Sequence, residues 1–210
     1  MKILTMKFGG TSVADVDRIR AVRDIISSEV KNGWNVVAVV SAMSKETNKL
    51  IDLAKQVGVE SLVDPEYDSL ISTGEDVSSS LLAIALNSIG ISSRSWRGWQ
   101  LPVRTDSFHS NAKIEEIETK KILNNFKEGI KVAVVSGFQG IEQSERITTL
   151  GRGGSDTSAV AIAAAIDAER CDIYTDVSGI YTTDPRIKKN ASKLKKISFE
   201  EMLEMASLGA

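Results

Sequence analysis

Short apolar runs alternate along the chain with longer stretches in which apolar residues recur at helical spacing. Ile3–Phe8 reads as a strand that runs into Gly9-Gly10. Behind it, Ser12-Val13-Ala14-Asp15 has the capping-box pattern, which predicts a helix starting at Ser12. Val16, Ile19, Val22, Ile25 and Ile26 give that helix one buried face. Val36–Val40 is a nearly continuous apolar strand ending in Ser41-Ala42-Met43-Ser44. Further helices are predicted over Thr47–Val57, Ser78–Ile89, Ile117–Phe126, Ser155–Ala168 and Phe199–Leu208. Further strands are predicted over Ile91–Trp96, Pro102–Thr105, Lys131–Val135 and Asp172–Val177.

Such alternation predicts an α/β fold with a mainly parallel sheet covered on both faces. The strand ends carry the functional hint. Phe8 runs into Gly9, Val40 into Ser41, Val135 into Ser136-Gly137 and Val177 into Ser178-Gly179. Ligands of open α/β sheets sit beyond the carboxyl ends of the strands, where small residues let the backbone come close. No internal repeat or Pro/Gly linker divides the chain, and a soft boundary between two lobes is expected near Ala168–Cys171.

Composition mainly removes alternatives. With 210 residues the chain can bury a full core. Its 26 Lys and Arg against 28 Asp and Glu leave a net charge of −2, giving no electrostatic reason to expect nucleic acid or an anionic membrane as partner. The longest apolar runs are too short to span a bilayer. Glycines follow the first strand before any signal-peptide apolar region builds up, so a cytoplasmic protein is expected. The single cysteine, Cys171, forms no intrachain disulfide and no Cys-cluster metal site.

Two predicted helix starts are fronted by glycines, Gly9-Gly10-Thr11-Ser12 and Gly151-Arg152-Gly153-Gly154-Ser155. Helix N-termini attract phosphates and carboxylates through unpaired N–H groups and the helix dipole. Neither loop has the Gly-Lys-Ser/Thr of a Walker loop, and Asp156 stands where the last glycine of a dinucleotide fingerprint would be. Taken one at a time, each turn reads better as plain helix capping and a tight turn.

Together the segments MKFGGTSVADVDRI, VVSAMSKETNKL, STGE, ITTLGRGGSDTSA and YTDVSGIYTTDPR resemble aspartate kinase, within the amino-acid kinase superfamily, over Met6 to Ala210. The resemblance implies a three-layer αβα sandwich, with an acceptor-binding lobe over residues 1–168 and the start of an ATP-binding lobe over 169–210. It implies transfer of the γ-phosphoryl group of ATP, with Mg²⁺ bridging the phosphates, to the side-chain carboxylate of L-aspartate. Such an acceptor, with a reference pKa of about 3.9, is already ionised at neutral pH and needs no general base. Catalysis then reduces to aligning two anions and neutralising charge.

The same resemblance assigns roles. Lys7, with the backbone of Gly9 and Gly10, neutralises the transferring group, and Asp156 holds Lys7 in place. Arg152 pairs with a substrate carboxylate, while Gly153 and Gly154 leave room beside the helix start. Glu75 receives the ammonium of the amino acid, and Ser41, Thr47 and Ser155 make further contacts, although Thr47 and Ser155 read equally as N-caps. Thr175, Asp176, Tyr181, Asp184 and Arg186 fall on the nucleotide side, with Tyr181 equally readable as a core aromatic. Trp96 and Trp99, in the family stretch SWxGWQ, are expected to shape the wall near the acceptor. His109 reads as a loop residue, Cys171 as a buried small residue, and the lysines 188, 189, 193, 195 and 196 as a solvated face.

Relatives of this kind continue past EMASLGA with a lysine on the ATP phosphates and with regulatory ACT domains, so weak or no turnover is expected of these 210 residues alone. The family commonly forms homodimers. A kinase for glutamate or acetylglutamate, or a non-catalytic module binding aspartate or nucleotide, are the competing readings.

Overall fold

The pleat of the first strand sorts its side chains into two layers. In β1 (Ile3–Phe8), Leu4, Met6 and Phe8 enter one hydrophobic core, and Ile3, Thr5 and Lys7 point to the other face. The computed structural model describes residues 1–59, 63–176, 179–183, 188, 190–198 and 200–201. Through Tyr174 the elements follow as α1 (Val16–Lys31), β2 (Asn35–Val40), α2 (Glu46–Val57), α3 (Pro65–Ile71), α4 (Thr73–Asn87), β3 (Ser93–Trp96), β4 (Val103–Thr105), β5 (Ile114–Ile117), α5 (Lys120–Lys127), β6 (Val132–Ser136), β7 (Gln139–Ile141), β8 (Ile147–Thr149), α6 (Gly154–Ala165) and β9 (Arg170–Tyr174).

Five strands form an all-parallel sheet in the order β3-β6-β2-β1-β9. Helices α1 and α4 cover one face through Ile19, Val22, Ile26, Leu82 and Leu86. Helices α5 and α6 cover the other through Ile122, Phe126, Ala159 and Ile162. This is the expected αβα sandwich, and it explains the near-continuous apolar character of β2 and β6, which are buried on both faces. A smaller four-stranded sheet, β5-β4-β7-β8, stands beside it. Among the described residues no helix is long and apolar enough to cross a membrane.

Several boundaries differ from expectation for local reasons. Helix α1 starts at Val16, because Asp15 is its N-cap and accepts the Arg18 amide at 2.8 Å; Ser12 instead closes the turn after β1 by donating its amide to the Gly9 carbonyl. Helix α4 starts at Thr73 rather than Ser78, and Ile117 ends a strand rather than starting a helix. Strand β9 begins at Arg170, ahead of the expected Asp172, and pairs along β1 from Leu4↔Arg170 to Phe8↔Tyr174. The first compact unit runs to Thr175.

The second unit begins at Asp176. Within it Tyr181 bridges Lys193 in antiparallel fashion, supported by Leu194 N to Ile180 O and Thr182 N to Ser192 O. Lys188, Lys193, Lys195 and Lys196 are exposed, as expected of a solvated face, and Lys189 lies outside the described residues. Of the predicted helix Phe199–Leu208 only Glu200 and Glu201 are described. There Ser198 and Glu201 form a capping box, with Ser198 N donating to Glu201 Oε2 at 2.8 Å and Glu201 N to Ser198 Oγ at 3.2 Å.

Candidate active site

Lys7 is one residue from the end of β1, on the face covered by α6. Its side chain is 9% exposed, and its ammonium lies 2.8 Å from Asp156 Oδ1 in the first turn of α6. Asp156 is 47% exposed, so the pair joins a nearly buried cation to a carboxylate at the solvent boundary. The approach needs small neighbours. A Cβ on Gly9 would stand 3.4 Å from Lys7 Nζ. A Cβ on Gly137, at the end of β6, would stand 3.0 Å from Ser155 Cβ, so this glycine lets the start of α6 settle onto the strand ends.

The next strand end carries a second polar cluster. Ser41 follows β2 and donates its amide to the Phe8 carbonyl at 3.1 Å, which places it beside Gly9 and Gly10. Glu75, in the first turn of α4, is 3% exposed; its Oε1 accepts the Ala42 amide at 2.9 Å, and its Oε2 is buried without a partner. Burial pushes the Glu75 carboxyl up to about 7, against the Ala42 hydrogen bond that lowers it. Helix α4 comes this close because Gly74 faces Ala42; a Cβ on Gly74 would lie 2.8 Å from Ala42 Cβ. Ser78 fastens the same contact by donating its hydroxyl to the Ser41 carbonyl at 2.7 Å.

Arg152 sits in the turn before α6 between Gly151 (φ 73°) and Gly153 (φ 76°), which take left-handed backbone conformations. It is exposed, with no ion pair or hydrogen bond among the described residues. Gly153 is the N-cap of α6 and contributes no side-chain bond, so Ser155 is not an N-cap. Thr47 is not one either: α2 begins at Glu46, behind Lys45 at φ 68°, and Thr47 lies half-buried in its first turn. The Gly9 amide donates to the Tyr174 carbonyl at 3.3 Å, so in this structure it is turned to β9 rather than to an anion.

Of the residues expected on the nucleotide side, Thr175 directly follows β9, Asp176 and Tyr181 belong to the second unit, and Asp184 and Arg186 lie outside the described residues. Trp96 is buried beneath Arg94, whose guanidinium lies 4.3 Å from the ring centroid, and with Trp99 it lines a cleft against Lys121, Asn124 and Glu128 of α5 and the residue after it. Cys171 is half-buried.

Several residues of this region escape sequence reasoning. Asp76 accepts Ser136 Oγ at 2.9 Å, Gln139 Nε2 at 3.2 Å and Arg97 Nε at 2.9 Å, tying α4 to the ends of β6 and β3. Phe138 has φ 68°, uncommon for an aromatic residue, and is held by donating its amide to Ser158 Oγ of α6. Asp68 of α3 is fully buried and hydrogen bonded to His109, Ser110 and Thr149. The only advance signal for these was proximity in sequence to Glu75 and to the Ser136-Gly137 turn.

Residues 2–210 match the model of the amino acid kinase family. The chain is 55% identical to an aspartokinase of Bacillus sp. (strain MGA3) and 51% identical to one of Geobacillus stearothermophilus, in each case over all of this chain and 51% of the relative. The chain thus spans about half the length of the curated relatives it matches. Among solved structures it is similar to aspartate kinase from Synechocystis, with a TM-score of 0.82 and 46% identity over 98% of this chain and 34% of that one. It is also similar to E. coli aspartokinase III solved with aspartate and ADP, with a TM-score of 0.85 and 30% identity over 98% of this chain and 56% of that one.

Proposed function

Because the chain belongs to the amino acid kinase family, we propose that it carries the catalytic centre of an aspartate kinase, which phosphorylates the side-chain carboxylate of L-aspartate at the expense of ATP. The observation that carries this reading is the Lys7–Asp156 pair, assembled from the first strand and the start of α6 at the mouth of the sheet.

The acceptor oxygen is ionised at neutral pH and attacks the γ-phosphorus; the bond from that phosphorus to the β–γ bridging oxygen breaks, and its electron pair leaves with ADP. Lys7 supplies positive charge to the transferring group, and Asp156 fixes where that charge sits. Glu75 meets the ammonium of the amino acid with its unpaired Oε2. Arg152, unpaired among the described residues, grips a substrate carboxylate through its planar guanidinium. Ser41, Thr47 and Ser155 line the same acceptor side, in the lobe assigned to residues 1–168. The nucleotide side starts at 169 and includes Thr175, Asp176, Tyr181, Asp184 and Arg186. Mg²⁺ would arrive with ATP as part of the substrate, carried on phosphate oxygens. The setting for such a step is amino-acid biosynthesis in the cytoplasm.

Hydroxylamine trapping tests the proposal. An acyl phosphate is converted to a hydroxamate, so product that requires both L-aspartate and MgATP, and disappears in Lys7→Ala, supports it. Product that requires glutamate instead assigns a different acceptor, and calorimetric binding of aspartate with no product assigns a binding role.

A further inference from the structure

Asp68 joins the two stretches of chain that carry the proposed contacts to the amino acid. Its Oδ2 accepts the amides of Thr149 and Ser110, each at 2.9 Å, and His109 Nδ1 at 2.9 Å. Its Oδ1 accepts the hydroxyls of Thr149 at 2.7 Å and Ser110 at 3.1 Å, and the Ser110 amide again at 3.1 Å. A fully buried carboxylate needs its lone pairs filled, and here every donor comes from only two places: the turn at 109–110 and the end of β8.

Both places lead to Arg152. The Thr149 carbonyl accepts the Ala112 amide at 2.9 Å, which clamps the end of β8 to the turn. A Cβ on Gly151 would stand 2.8 Å from Asn111 Oδ1 and 3.1 Å from the Ser110 carbonyl, so the residue before Arg152 rests directly on that turn. Ser110 itself is held at φ 64°, a strained conformation for a non-glycine residue that the Asp68 bonds maintain. In the other direction, α3 passes through Ser72 into α4, which presents Glu75 in its first turn. One carboxylate therefore connects the backbone ahead of Arg152 with the helix pair that carries Glu75.

We propose that Asp68 is a positioning residue that sets the separation of Arg152 from Glu75, and so makes the site selective for a free α-amino acid, whose ammonium and carboxylate must be met at the same time. The inference rests on the functional reading above. Hydrophobic packing of Tyr67 and Ile71 against Ala54 also holds α3 to α2. The donors to Asp68 fix the loop, and small misplacements of a binding group weaken recognition strongly.

The test is calorimetric titration of the wild-type chain and of Asp68→Asn with L-aspartate and with succinate, which keeps both carboxylates and lacks the ammonium. The ratio of the two affinities does not depend on how much of the protein is folded, because an unfolded fraction lowers both alike. In Asp68→Asn the aspartate affinity falls about tenfold and the preference over succinate shrinks with it. Thr149→Val keeps the volume and removes one donor; it moves the ratio in the same direction by a smaller factor, and decides the matter where Asp68→Asn does not fold. An unchanged ratio in the folded variants overturns the positioning role, even where the melting temperature drops. Wild-type protein that binds no aspartate overturns the functional reading itself, and this inference with it.

Discussion

The ammonium of Lys7 meets Asp156 at 2.8 Å while only 9% of the lysine side chain is exposed. Removing the carboxylate leaves a cation with little access to water. Asp156→Ala is expected to destabilise the protein by about 1–2 kcal/mol, less than the loss for a fully buried pair because the aspartate is half in solvent. The effect on phosphoryl transfer is expected to be larger, about 100-fold in kcat. Denaturant unfolding and hydroxamate kinetics on one preparation separate the two effects, and a fall in stability with no fall in rate contradicts the assigned role.

Glu75 makes the site sensitive to pH. Its carboxyl titrates at about 7 in the folded chain against an ordinary 4.5. Between those values the folded state keeps a proton that the unfolded state has released, so stability falls as pH rises through the window, by roughly 3 kcal/mol in total. Glu75→Gln removes that slope and is the more stable form above neutrality. An incoming ammonium favours the ionised carboxylate. Aspartate binding is therefore expected to release a proton and to weaken as pH drops below about 7. Calorimetry in buffers of different ionisation enthalpy measures the proton directly, and binding with no proton release near neutrality contradicts the expectation.

Gly74 and Ala42 offer a reciprocal test of how closely α4 must approach the end of β2. Gly74→Ala puts a methyl group 2.8 Å from Ala42 Cβ, which pushes the helix away and stretches the hydrogen bond from the Ala42 amide to Glu75. A loss of about 1–3 kcal/mol is expected, with weaker aspartate binding. Adding Ala42→Gly clears the space, since the next atoms lie 3.7 Å and 4.0 Å away, and most of both losses should return. A double variant no better than the single one shows that the contact is not the cause.

Arg152 behaves differently from Lys7, because it is exposed and makes no ion pair or hydrogen bond among the described residues. Arg152→Lys is expected to leave unfolding within about 0.5 kcal/mol of wild type. It loses the two-pronged grip on a carboxylate and is expected to weaken aspartate binding about tenfold. Equal affinity of the two proteins for aspartate removes Arg152 from the acceptor site.

Much of the sheet was legible because its strands announce themselves. Ile3–Phe8 alternates between two cores and stops at a pair of glycines, and β2 and β6 are buried on both faces. The pairing of Lys7 with Asp156 was legible because short motifs surround both. Asp68 was not: an acidic residue in a helical stretch looks like a solvated one, and its donors lie far along the chain. Strand β5 was hidden because its sequence, IEEI, places two glutamates in the middle of four residues. The start of α1 was misplaced because Ser12 and Asp15 both suit an N-cap, and only the fold decides that Ser12 turns back to Gly9.

The pairing of β1 with β9 sets an order of events during synthesis. The strand bearing Lys7 is made before one of its two neighbours and before the helix bearing Asp156, which come from the far end of the first unit. Until that stretch has emerged, β1 can associate only with β2, and its apolar edge stays open to other chains. Both edges of β1 are paired only once nearly the whole of the first unit has been made.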